Sequence, residues 1–238
     1  MRGISVIKNS DRFISSFNRI DHKIRSEGNY ERRIPFSRVV EYACKHNAVV
    51  RRFKVDLLEF AELRNAIVHQ SSPPEFVIAE PHSSIVEKIE EIERELLEPK
   101  LVIPEFRRKV ECFTIYDSLA KVLASIKANQ YSQFPIYGEG RFKGLLTTNG
   151  IANWLAHNIQ EDIISICEAT VADVLLCEEN RKNYKFISRN TNIYEAEEIF
   201  KDGISKGKRL EALLITENGN PSEKLLGIVT TWDMVKEH

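Results

Sequence analysis

The chain has 238 residues, with 34 Lys and Arg against 35 Asp and Glu and a formal net charge of -1, so it carries no overall field that would gather nucleic acid or an anionic membrane. A hydrophobic fraction of 42% and a charged fraction of 29% exclude a mainly disordered chain, and the length suits two compact units or one with an internal duplication. Cys44, Cys112, Cys167 and Cys177 contain no CxxC pair and no metal-ligand spacing, so neither a metal site nor a cofactor is expected. The opening MRGISVIKNSDRF lacks the apolar stretch of a secretory signal, and no run approaches about 18 apolar residues, which predicts a cytoplasmic protein without a membrane partner.

From Ser10 to Glu27, Phe13, Phe17, Ile20 and Ile24 recur at steps of four, three and four, which predicts an amphipathic helix with Ser10 as N-cap and Gly28 at its end. A second helix is expected from Ser37, with Val40 and Ala43 inward. A third runs from Asn47 to His69, placing Phe53, Leu57, Phe60 and Ala61 on one stripe until SSPP at 71–74 stops it. A fourth follows Pro81, where Ser84 and Glu87 have capping-box spacing and Ile85, Ile89, Ile92 and Leu96 keep helical register. Pro99 and Pro104 in EPKLVIPE then break the pattern. They divide a helical bundle over 1–98 from the remainder of the chain.

Beyond residue 105 short apolar runs alternate with helical stretches, and an internal repeat emerges. SLAKVLASIKA precedes FPIYGEGRFKGLLTTNGIANWL, and IYEAEEIFKDG precedes ALLITENGNPSEKLLGIVTTWDMVKEH. Each copy reads as helix, strand, glycine-bearing turn, strand and helix, and the Gly-apolar-apolar-Thr elements at Gly144 and Gly227 lie 83 residues apart. In the second copy Asp233 follows Thr230 by three residues. A hydroxyl and a carboxylate at a strand-to-helix junction can hold a sugar diol, with phosphate near free backbone N–H groups.

This repeat resembles a pair of CBS domains, on Gly227-Ile228-Val229-Thr230-Thr231-Trp232-Asp233-Met234 and on ATVADVLL at 169–176. The resemblance implies an α+β chain: an all-α bundle followed by two pseudo-symmetric β-α-β-β-α modules, over 101–160 and 161–238. It implies further that Thr230 and Asp233 bind the ribose and phosphate of AMP, ADP, ATP or a similar adenine nucleotide. Lys185, Phe186, Ser188, Ala212 and Leu214 would then wall the adenine. The first module keeps Thr147 but has Gly150 in place of the aspartate, with Asn149 beside it. One good site is therefore expected, or a first site that is empty or recognises something else.

In the helical part, Glu62-Leu63-Arg64-Asn65-Ala66-Ile67-Val68-His69 resembles the Arg-x4-6-His signature of HEPN domains, small bundles that often dimerise. In active members such a His serves as acid or base while the Arg supports phosphate during metal-independent RNA cleavage. In an unbroken helix Arg64 and His69 stand about 140° apart and converge only where the helix ends. The structural alternatives are a partner for Arg64 among Asp21, Asp56 and Glu59, and a helix-terminal place for His69. His22, His46 and His82 show no evident partners, and Arg32-Arg33 and Arg51-Arg52 read as solvated faces. Three functions remain open at this point: a homodimeric regulator in which a CBS pair senses adenine nucleotide, a ribonuclease gated by that nucleotide with RNA as its partner, and a ligand-free dimerisation scaffold.

Overall fold

The computed structural model describes residues 8–68, 80–160 and 163–236. The chain divides into two compact units, Met1–Lys100 and Leu101–His238. No helix among the described residues is long and apolar enough to cross a membrane.

The first unit is built on α1 (Asn9–Gly28), α2 (Phe36–Ala43), α3 (Ala48–Arg52), α4 (Lys54–Val68) and α5 (Ser83–Leu97). The apolar face of α1 is fully used, since Phe13, Phe17, Ile20 and Ile24 are all buried. Phe13 meets Phe60 of α4 edge-on at 5.7 Å, and Val86, Ile89, Ile92 and Leu96 of α5 are buried. Two carboxylates of α5 bind arginines of α1: Glu90 holds Arg12 through two hydrogen bonds, and Glu93 holds Arg19.

Three local expectations change in this unit. Ser10 lies inside α1 and is buried; the residue at the N-cap is Lys8. The stretch expected as a single third helix is broken at Phe53, whose φ of -100° and ψ of 17° leave helical geometry, while Asn47 caps α3 by accepting from the Val50 N–H at 3.0 Å. Apolar spacing reports which side chains share a face, and it runs through this break unaltered. At α5 the N-cap is His82, whose ring accepts from the Ser84 N–H at 3.3 Å, so Ser84 and Glu87 form no capping box. The SSPP turn lies outside the described residues.

The second unit opens with the short α6 (Val102–Glu105) and then repeats one order of elements. The first copy runs β1 (Phe113–Thr114), α7 (Leu119–Asn129), β2 (Gln133–Gly138), β3 (Arg141–Thr147) and α8 (Thr148–Asn158). After α9 (Val171–Leu175) the second runs β4 (Tyr184–Ser188), α10 (Ile193–Ser205), β5 (Ala212–Thr216), β6 (Gly227–Thr230) and α11 (Thr231–Lys236). Each copy forms a three-stranded sheet in which the first strand pairs parallel with the second and the second antiparallel with the third. Parallel pairing requires a crossover, and α7 and α10 supply it.

Phe134, Ile136 and Leu146 of the first sheet pack with Val122, Ile151, Trp154, Val171 and Val174, which places α9 in the first module's core. Leu145 of β3 joins Ala212, Leu214 and Ile228 of the second sheet, and Phe142 meets Tyr184 at 4.8 Å and Phe186 at 5.0 Å. The two modules therefore share apolar core across their sheets.

Candidate functional site

The chain leaves β6 at Thr230 and turns directly into α11, so Asp233 falls in the first helical turn. Its Oδ2 accepts from the Thr230 backbone N–H at 2.7 Å and from the Thr230 hydroxyl at 2.8 Å. The same carboxylate is engaged by Arg108, which donates from Nη2 to Oδ2 at 2.8 Å and from Nη1 to Oδ1 at 3.3 Å and also binds the Ile228 carbonyl. Burial pushes the Asp233 carboxyl upward in pKa, but Arg108 and the two Thr230 donors outweigh it and hold the group below the ordinary carboxylate range.

Thr230 and Asp233 border a cavity of about 480 Å³, to which the segment before β1 contributes Arg108 and Lys109 and the region between α7 and β2 contributes Tyr131. Trp232 of α11 lies on the same wall. Tyr131 is 49% exposed and Trp232 68%, so the cavity is bordered by two partly exposed aromatic side chains. The site thus combines a hydroxyl–carboxylate pair, aromatic side chains and two cations.

The other expected nucleotide residues are distributed differently. Ala212 is paired in register with Thr230, and Leu214 with Ile228, but both are fully buried in the core and neither borders the cavity. Phe186 packs on Phe142 and Tyr184. The Ser188 hydroxyl donates to the Glu217 carbonyl at 3.1 Å, and Lys185 projects outward, exposed, from β4. None of these three reaches the cavity at Thr230. Tyr131 and Trp232, rather than these β4 and β5 residues, line the cavity at Thr230.

Thr147 is buried beside another cavity, of about 330 Å³. Its hydroxyl caps α8 by accepting from the Gly150 N–H at 3.1 Å. Sequence reasoning missed Arg108, Lys109, Tyr131 and Glu178, the last of which binds Thr147. Only the absent aspartate at 150 hinted that a carboxylate had to come from elsewhere.

In the helical unit Arg64 is half-exposed on α4 and donates from Nη1 to the Asn65 side-chain oxygen at 3.4 Å. Two of its expected acidic partners are engaged elsewhere, Asp56 by Lys88 and Asp21 by Arg25. His69 lies outside the described residues.

A family model, that of the CBS domain, matches residues 171–238. Among solved structures, a CBS-domain-containing protein from Agrobacterium tumefaciens is similar at 18% identity and a TM-score of 0.40, over 55% of this chain and 89% of that one. One from Kribbella flavida is similar at 12% identity and a TM-score of 0.42, over 56% and 95% of the two chains. The CBS domain pair of protein MJ0100, in complex with 5′-methylthioadenosine and S-adenosyl-L-methionine, is similar at 16% identity and a TM-score of 0.42, over 58% and 95%. None of the curated proteins compared with the chain matches it. The segment that matches the CBS-domain model begins at the first residue of α9 and takes in the β4–α11 module with its Thr230–Asp233 junction.

Proposed function

We propose that the chain is a regulatory protein whose two modules act as a CBS pair, binding an adenosine-containing nucleotide at the β6–α11 junction and passing the ligand state to the HEPN-like helical unit. The observation that carries this reading is the cavity itself. Thr230 and Asp233 share it with Arg108, Lys109, Tyr131 and Trp232, so acceptors for a ribose diol, cations for phosphate and surfaces for a base face one space.

Asp233 is neutralised by Arg108. Nucleotide binding therefore works as an exchange, in which ribose hydroxyls take the Asp233 oxygens and the Arg108 guanidinium turns to phosphate. The half-buried carboxylate keeps donors throughout, which limits the cost of the rearrangement. Lys109, exposed at the same rim, adds a second cation.

Calorimetric titration with AMP, ADP and ATP tests the reading. Asp233→Ala and Thr230→Ala should each weaken binding by about tenfold or more, the scale of a charge-assisted hydrogen bond. Arg108→Ala should weaken AMP by about tenfold while leaving phosphate-free adenosine unchanged or tighter, since its carboxylate partner is released. Absence of binding at about millimolar nucleotide would remove the proposal.

A further inference from the structure

The first module lacks a carboxylate in its motif, since Gly150 stands where the second module has Asp233. Thr147 nevertheless makes the two donations that Thr230 makes. Its backbone N–H reaches Glu178 Oε1 at 2.6 Å and its hydroxyl reaches Oε2 at 3.1 Å. Glu178 comes from the segment between α9 and β4, 31 positions away. A Cβ built on Gly150 would lie 2.1 Å from Glu178 Oε1, so this carboxylate fills the volume that a side chain at 150 would need. Glycine and glutamate are a matched pair.

The cavity beside them has an excess of acceptors. Its one cation among the described residues, Arg209, is held by Glu211 and by the Asn149 amide oxygen, at 2.8 Å from Nη2. Glu178 and Glu179 remain as further carboxylates on its wall. Asn183, only 3% exposed and on the same wall, gives its amide hydrogens to the Leu145 carbonyl at 3.3 Å and to Glu178 at 3.2 Å. Its own amide oxygen has no partner among the described residues. A buried acceptor left unmet is costly, and an incoming donor would satisfy it. The cavity at Thr230 differs, with Arg108 and Lys109 balancing its acids.

We propose that Glu178 supplies the carboxylate missing at position 150 and makes the Thr147 cavity a site for a phosphate-free, hydrogen-bond-donating ligand, carrying either ammonium or neutral hydroxyl groups. Three carboxylates against one committed arginine repel phosphate, while amine or hydroxyl protons meet Glu178 and the Asn183 oxygen together. Burial raises the Glu178 carboxyl in pKa, with Glu211 adding to the rise, and the Thr147 and Asn183 donors only partly oppose it. This inference stands whether or not the Thr230 cavity takes nucleotide.

The test uses the full chain carrying Asp233→Ala, titrated by calorimetry with spermidine, adenosine and AMP, and with magnesium chloride at matched ionic strength. Spermidine or adenosine should bind, AMP about tenfold more weakly or not at all, and magnesium should give no heat beyond dilution. Adding Glu178→Gln should weaken the binding by about tenfold. Gly150→Asp alone should lower the melting temperature, and Gly150→Asp with Glu178→Ala should restore it, because one carboxylate then occupies the space. The swap also covers the case in which Glu178→Gln does not fold. The proposal is overturned if neither probe binds, if AMP or magnesium binds as well as they do, if Glu178→Gln folds and binds equally, or if the swap fails to restore stability. Failure of the nucleotide reading would show separately, as absence of AMP binding to the unaltered chain.

Discussion

Asp233 and Glu178 do the same structural task in environments that move their titration in opposite directions. Asp233 is depressed by Arg108 and Thr230 against the pull of burial, so its contribution is present above its unfolded pKa and is lost as pH falls through the folded one. Glu178 is raised by burial, so stability is greatest while it stays protonated and is lost as pH rises through its elevated folded pKa. Denaturant melts across pH should therefore show Asp233→Asn flattening the acid-side loss, and Glu178→Gln flattening a decline just above the ordinary carboxylate range. Asp233 was legible in the sequence because its partner Thr230 is three residues away and the two act within one turn. Arg108 was not, being 125 positions from the carboxylate it binds, and neither was Glu178. Contacts of that reach depend on how two sheets meet, which no local spacing encodes.

At the scale of elements, the two glycines that open the motif strands have different duties. A Cβ on Gly227 would lie 2.2 Å from the Phe106 carbonyl oxygen, and a backbone atom cannot turn aside as a side chain can. On Gly144 it would meet the Leu175 side chain at 3.2 Å. Gly227→Ala should cost about 1–3 kcal/mol or more by chemical denaturation, and Gly144→Ala distinctly less, because Leu175 can shift by a fraction of an ångström. In the helical unit Asn47→Ala should cost about 1 kcal/mol, the usual value of an N-cap. That cap also explains what spacing could not show. The stripe from Phe53 to Phe60 continues across a change in backbone, so periodicity merged α3 with α4, whereas the repeated order of strands and helices in the second unit was legible because it occurs twice. Strand β1, with only two residues, is too short to carry a pattern of its own.

At the scale of the whole molecule, two units with separate buried cores should give two calorimetric transitions. Nucleotide at about 100 times its Kd should stabilise the Leu101–His238 transition by about 2.7 kcal/mol. If the pair regulates the helical unit, the Met1–Lys100 transition must move as well, since coupling between sites is reciprocal. A fixed first transition would leave a sensor without influence over its neighbour. The change of texture after Pro104 and the duplication made the second unit recognisable, but the chemistry of its cavities depends on side chains that each module receives from outside its own motif. Arg108, upstream of β1, serves the carboxylate near the chain's end, and Glu178, upstream of β4, serves the threonine that closes β3. Such borrowing makes excision unsafe. A fragment spanning 171–238 would retain Thr230 and Asp233 yet forfeit Arg108, Lys109 and Tyr131, and one that stopped before 178 would leave Thr147 facing bare glycine, so grafting either pocket onto another protein requires transplanting 101–238 entire.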